Sequence, residues 1–253
     1  MRFTALKSLL AAVLICALAS VSFTAFAAKE VSFQTRDGVT IRANLFLPKG
    51  KKPVPVVLLL HQLGSSKSAW NAFAEKLTRN NYAALALDLR GHGESTDFSG
   101  KHRDYRSFTE ADYAAMIRDV AAAVDYLDSR EDINSSRLAV IGASIGANLA
   151  FQYAAGDKNV RTAILLSPGL NYRGLEVLPY ITGFSTRALF LIVSEKDEYS
   201  YESCLKLKQA AKLASPIKLK AYAGTRHGTD LLLAHEGLDE IMIAWLLNHL
   251  VNG

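Results

Sequence analysis

Two periodicities alternate along this chain. Val31-Ser32-Phe33-Gln34-Thr35 alternates apolar and polar residues, Asp37-Gly38 supplies a turn, and residues 40–47 alternate again, which predicts an N-terminal antiparallel hairpin. Val54–Leu60 and Ala83–Leu87 are nearly unbroken apolar runs, the pattern of strands covered on both faces in a parallel sheet. Between them residues 67–80 read as a helix. Thr109-Glu110-Ala111-Asp112 has the form of a capping box. It opens an amphipathic helix to about Asp128, with Ala114, Ile117, Val120, Ala121 and Val124 on one face. Further strands are predicted at 138–141, 163–166, 188–193 and 217–222, and further helices at 147–153, 201–213 and 238–250. Strands and helices in this alternation define a doubly wound, mostly parallel α/β sheet, here of eight strands with the hairpin at its start. No internal repeat or low-complexity segment interrupts it.

The first residues do not share this pattern. Arg2 and Lys7 make a positive start, residues 9–18 are apolar, and Ala25-Phe26-Ala27 puts small residues where a signal peptidase reads. Residues 1–27 are therefore expected to be a secretory signal peptide, cleaved between Ala27 and Ala28, which implies a secreted or periplasmic protein. The apolar run is short of the about 20 residues a membrane span needs. An uncleaved N-terminal anchor is the rival reading. Lipidation at Cys16 is disfavoured by the bulky Ile15 before it. Residues 28–253 are then expected to form one α/β domain.

Charge and cysteine usage narrow the partners. Arg2 and Lys7 leave with the signal and no acidic residue does, so the net charge falls from +5 to +3. The cluster Lys49-Gly50-Lys51-Lys52 reads as a solvated loop, and the absence of a basic stripe with interleaved aromatics argues against nucleic acid. Cys204 remains as a lone thiol in a helical stretch, expected to be packed rather than bridged. There is no His-Glu-x-x-His and no clustered Cys/His spacing, so neither a metal nor an organic cofactor is implied.

The candidate chemistry begins at Gly142-Ala143-Ser144-Ile145-Gly146. An apolar strand precedes it and a helix-forming run follows, the strand–turn–helix context of a nucleophile elbow. Such a turn strains the serine backbone, while glycines let strand and helix approach closely. Ser144 Oγ would project from the carboxyl edge of the sheet above a helix N-terminus, where developing negative charge is stabilised.

With His61-Gln62-Leu63-Gly64, the stretch from Asp88 to Ser95 (Asp-Leu-Arg-Gly-His-Gly-Glu-Ser), Ser194-Glu195-Lys196-Asp197 and Arg226-His227-Gly228 in this order, the chain resembles the α/β-hydrolase superfamily over nearly all of residues 28–253. It resembles the small, lidless serine carboxylesterase and dienelactone-hydrolase-like branches. The resemblance implies a triad in the order Ser, acid, His. Three histidines follow Ser144. His249 falls within the last helix and His235 at a helix start or loop, which leaves His227, just past a strand on a glycine-flanked loop, as the base. Asp197 is taken as the acid; Glu195 and Glu198 are its competitors, whereas Asp157 and Asp239 are expected to be solvated. The oxyanion donors implied are the backbone N–H groups of Ile145 and Leu63. The stretch around Asp88, Arg90 and His92 is expected to be a structural loop held by Arg–Asp contacts.

Three departures from the resembled pattern matter. Ser194 stands where relatives carry glycine. His61-Gln62 stands where relatives usually carry His-Gly, and Gln62 in the glycine's place is expected to crowd the oxyanion loop or shape the pocket mouth; Gln62→Gly is expected to alter turnover by less than about tenfold. Ser144 replaces the nucleophilic cysteine of dienelactone enzymes. The segment after the strand ending near Leu166 is too short for a full lid domain, so small soluble or short-acyl esters are the expected substrates. A serine peptidase or amidase on the same fold, and a non-catalytic binding protein on a hydrolase scaffold, are the alternatives.

Overall fold

A computed structural model describes residues 28–50, 53–211 and 217–252. The segment expected to be a signal peptide lies outside the described residues. Among those described, no helix is long and apolar enough to cross a membrane.

The hairpin is β1 (Lys29–Gln34) against β2 (Val39–Phe46), and the parallel set begins with β3 (Val54–Leu60) and β4 (Ala83–Leu87). A two-residue ribbon, β5 (Asp97–Phe98) and β6 (Lys101–His102), follows, then β7 (Ile133–Ala143) and β8 (Val160–Leu166). A second ribbon, β9 (Asn171–Tyr172) and β10 (Leu175–Glu176), precedes β11 (Ala188–Ser194) and β12 (Ile217–Tyr222). The main sheet runs β12-β11-β8-β7-β3-β4-β2, with β1 on β2 and the β5–β6 ribbon also paired to β2. Eight long strands are thus present as the pattern predicts. The ribbon adds two, because Asp97 and Phe98 reach the free end of β2 beyond its pairing with β4.

The helices are α1 (Asn71–Arg79), α2 (Glu110–Ala114), α3 (Ile117–Asp128), α4 (Ile145–Gly156), α5 (Ile181–Phe184), α6 (Glu198–Ala210), α7 (Asp230–Ala234) and α8 (Leu238–Leu246). The period of two along the strands separates the core into two layers. Val56, Leu58 and Leu60 pack with Val120, Leu127, Leu149, Phe151 and Leu207 on one face. Val57 and Leu59 pack with Phe73, Leu77, Met242, Trp245 and Leu246 on the other.

Two predicted helices differ in detail. The helix expected from residue 67 starts as a 3₁₀ turn, Lys67–Trp70, because the Lys67 N–H is drawn to Asp88 Oδ1 at 2.6 Å. The capping box at Thr109 is present, but the helix it opens breaks at Ala115-Met116. Tight i→i+3 bonds there, Met116 N–H to the Tyr113 carbonyl and Asp119 N–H to the Met116 carbonyl, restart the helix in a new register. The fully buried Asp119 side chain then meets Arg90, with Nε 2.7 Å from Oδ1.

Candidate active site

Five strand ends converge at one edge of the sheet: β3 into His61–Leu63, β7 into Ser144, β8 into Ser167, β11 into Asp197 and β12 towards His227. This carboxyl edge is where open α/β sheets place their ligands.

Ser144 lies between β7 and α4 with φ 53° and ψ −119°, a conformation costly for a side-chain-bearing residue, of order 1–3 kcal/mol. Packing holds it there. Its N–H donates to the Leu166 carbonyl at 2.8 Å, and its own carbonyl accepts from Ala147 N–H at 2.9 Å. A Cβ on Gly142 would lie 2.1 Å from the Gly146 carbonyl oxygen, and one on Gly146 would lie 2.5 Å from the carbonyl oxygens of both Leu60 and His61. Close approach therefore requires both glycines. The Ser144 hydroxyl makes no capping bond to α4. Ile145 N–H is a first-turn donor of α4 without an intrahelical acceptor. Leu63 N–H likewise has no acceptor among the described loop bonds.

His227 Nδ1 and Asp197 Oδ2 are 2.7 Å apart. The carboxylate accepts, so Nδ1 carries the proton and Nε2 is left as a base. The His227 side chain is 38% exposed and that of Asp197 14%, so the imidazole faces the cleft with its acid behind it. Burial opposes ionisation of Asp197, but hydrogen bonds from His227, Ser167 and Ser200 outweigh it and hold the carboxyl below its ordinary range. Glu195 and Glu198 are both exposed. Ser194, in the position expected for glycine, donates its hydroxyl to the Arg226 carbonyl at 2.7 Å and so ties the Asp197 loop to the His227 loop.

The other sequence candidates lie elsewhere. His235 stacks on Tyr222 with ring centres 4.0 Å apart, and His249 packs on Trp245 at 4.0 Å. Asp157 and Asp239, expected to be solvated, are both half-buried: Asp157 accepts from Tyr153 Oη at 3.1 Å, and Asp239 pairs with Lys76. Tyr153 is one helical turn before Asp157, at the end of α4, whereas Lys76 lies on α1 and local sequence could not reveal it. Cys204 is buried, and burial pushes its thiol pKa up.

The loop from Asp88 to Ser95 is structural. Asp88 accepts from Lys67 Nζ at 2.8 Å and from Glu94 N–H at 2.9 Å, while Arg90 bonds Asp119 and Asp37. His61 joins it to the loop after β3. Leu89 N–H can only donate, at 3.1 Å to Nε2, so Nδ1 must carry the imidazole hydrogen and give it to the Gln62 carbonyl at 2.7 Å.

Three supporting residues escaped sequence reasoning. Ser167 has φ 49° and is buried; its Oγ accepts Gly228 N–H at 3.1 Å while it also bonds Asp197. Ser200, on the first turn of α6, bonds both Asp197 and the Tyr172 hydroxyl, the latter at 2.8 Å. Tyr172 also reaches the Ser144 hydroxyl, its ring lies edge-on to His227 with centres 6.4 Å apart, and burial raises its phenol pKa to about 12. The one available signal was the position of Ser167, a polar residue directly at a strand's carboxyl end.

Fold and strand-edge geometry define an α/β hydrolase. More narrowly, the chain belongs to the serine aminopeptidase, S33 family, whose model matches residues 51–196, more than half of the chain. That match ends one residue before Asp197, so the pairing of Asp197 with His227 is a finding of the geometry. The chain is 29% identical over 140 residues to the quorum-quenching protein AidA of Acinetobacter baumannii, covering 55% of this chain and 43% of that protein. It is 27% identical over 128 residues to the 2,6-dihydropseudooxynicotine hydrolase of Paenarthrobacter nicotinovorans, covering 51% and 32%. The chain thus spans less than half the length of either relative. The Pyrococcus furiosus esterase Pf2001 superposes with a TM-score of 0.72 at 21% identity, covering 89% of this chain and 92% of that one, a likeness of fold alone.

Proposed function

We propose that this hydrolase cleaves carboxylic esters, of short acyl groups or small soluble alcohols, through an acyl-enzyme on Ser144. The observation that carries the reading is the pairing of a strained, glycine-flanked serine at a helix N-terminus with the Asp197–His227 hydrogen bond at the same sheet edge. His227 Nε2 takes the Ser144 proton as Oγ attacks the ester carbonyl. Asp197 holds the imidazole tautomer and stabilises the imidazolium. The N–H groups of Ile145 and Leu63 receive the oxyanion, a contribution of about 3–4 kcal/mol for each well-placed donor. The imidazolium then gives its proton to the leaving alkoxide. Water, deprotonated by the same His227, attacks the acyl-enzyme and regenerates Ser144.

The esterase named among the structural neighbours supports this reading. The family's description favours a second one, hydrolysis of an aminoacyl amide. Residues 1–27 would export the chain as residues 28–253; an exported form whose N-terminal mass does not begin at Ala28 would argue against that cleavage. The test of the chemistry is intact mass after incubation with a fluorophosphonate, beside a Ser144→Ala control. A single adduct on wild type alone is expected, and none on folded wild type would overturn the proposal. Comparing p-nitrophenyl esters with aminoacyl p-nitroanilides then separates esterase from peptidase.

A further inference from the structure

Gln62 stands where the resembled pattern has glycine after the histidine, and its side chain leaves that loop. Its Oε1 accepts from Thr229 Oγ1 at 2.9 Å and from Thr229 N–H at 3.3 Å. A Cβ on Gly228 would lie 3.1 Å from the same oxygen, so the carboxamide packs against the backbone directly after His227. Gly228 has φ +59°, a left-handed conformation that glycine adopts without steric cost. Besides the Asp197–His227 bond, three side-chain ties reach the His227 loop among the described residues: Ser194 Oγ bonds the Arg226 carbonyl, Ser167 Oγ accepts Gly228 N–H, and Gln62 holds Thr229. The first two connect the base to the side of the acid, because Ser194 precedes Asp197 and Ser167 bonds it. Gln62 alone among the three connects it to the loop that bears Leu63 N–H. Gln62 is itself pinned at its backbone, where its carbonyl accepts from buried His61.

We propose that Gln62 is a positioning residue that locks the His227 loop to the oxyanion loop, so that base and oxyanion donors keep one relative geometry through acyl transfer. The proposal rests on the serine-hydrolase reading above. A glycine at position 62 could make no such tie. Acyl transfer needs Nε2 and the two N–H donors aligned on one tetrahedral centre, and a misplacement of about 1 Å costs on the order of a hundredfold. The effect of losing the tie therefore exceeds the tenfold ceiling expected from the sequence pattern.

Four variants test it. Gln62→Leu keeps bulk and removes the acceptor; kcat on a p-nitrophenyl ester should fall about ten- to a hundredfold with KM within about twofold. Thr229→Val removes one of the two bonds and should cost less, and the double variant should be no worse than Gln62→Leu alone. Gln62→Glu preserves both acceptor contacts and adds charge beside the base. It should retain kcat within about threefold at high pH and move the acid limb of the pH profile upward, because a carboxylate beside the base favours its charged form. Turnover of Gln62→Leu within threefold of wild type, a loss carried by KM, or an unmoved acid limb in Gln62→Glu overturns the proposal. NMR measurement of Thr229 amide hydrogen exchange, expected to stay protected in Gln62→Glu and to lose protection in Gln62→Leu, needs no substrate. It judges the tie even if Gln62→Leu fails to fold, or if wild type takes no fluorophosphonate and the hydrolase reading itself falls.

Discussion

His61 should make this fold acid-sensitive in a defined window. Its ring is fully buried, Nε2 accepts Leu89 N–H, and Nδ1–H is given to the Gln62 carbonyl. Both bonds require the neutral ring; a proton on Nε2 would face a backbone N–H. Burial, with the nearby His92 adding repulsion at 5.0 Å between ring centres, lowers the His61 pKa from 6.5 to about 4. The unfolded chain therefore binds a proton between pH 6.5 and about 4 that the folded chain refuses. Stability from this residue is fully present above pH 6.5 and is lost as the pH falls through about 4. At roughly 1.4 kcal/mol per pKa unit the loss is about 3 kcal/mol, a large part of the 5–15 kcal/mol that holds an ordinary domain together. Urea unfolding followed by fluorescence of the buried Trp70 and Trp245, from pH 7.5 to 4.2, measures it. His61→Gln cannot titrate, so its stability should decline by about 3 kcal/mol less than that of wild type over this range. Parallel curves, or an NMR titration placing the His61 pKa near 6.5, would refute the argument.

Three further outcomes follow from the same geometry. Gly146→Ala brings a methyl group to 2.5 Å from two carbonyl oxygens and should cost about 1–3 kcal/mol together with most labelling by fluorophosphonate; Gly156→Ala, at the open end of the same helix, should be neutral or stabilising by up to about 1 kcal/mol in the same melt. Arg90→Met strands the buried Asp119 carboxylate, whose pKa burial already raises to about 6 even with Arg90 opposing it, and should cost about 3–5 kcal/mol by urea titration; adding Asp119→Asn should restore part of it. Ser200→Ala removes a donor that helps hold Asp197 ionised, so the acid limb of the labelling rate should move to higher pH while the alkaline limb stays put.

The elements and the elbow were legible because each depends on local pattern. Continuous apolar runs marked Val54–Leu60 and Ala83–Leu87 as covered strands, and strand, Gly-x-Ser-x-Gly and helix are contiguous around Ser144. His227 and Asp197 were reachable through chain order in a resembled family, but their 2.7 Å contact joins loops from two different strands. The break at Ala115-Met116 was not legible, because it serves the buried Arg90–Asp119 pair rather than the amphipathic period. Sequence by itself determined the α/β class, the two-layer core and the position of a candidate nucleophile. Tertiary structure alone decided what Ser167, Ser194, Ser200 and Gln62 do. Each satisfies a polar group supplied by a distant loop, and a hydrogen bond across 167 residues, such as Gln62 to Thr229, leaves no periodicity in the chain that makes it.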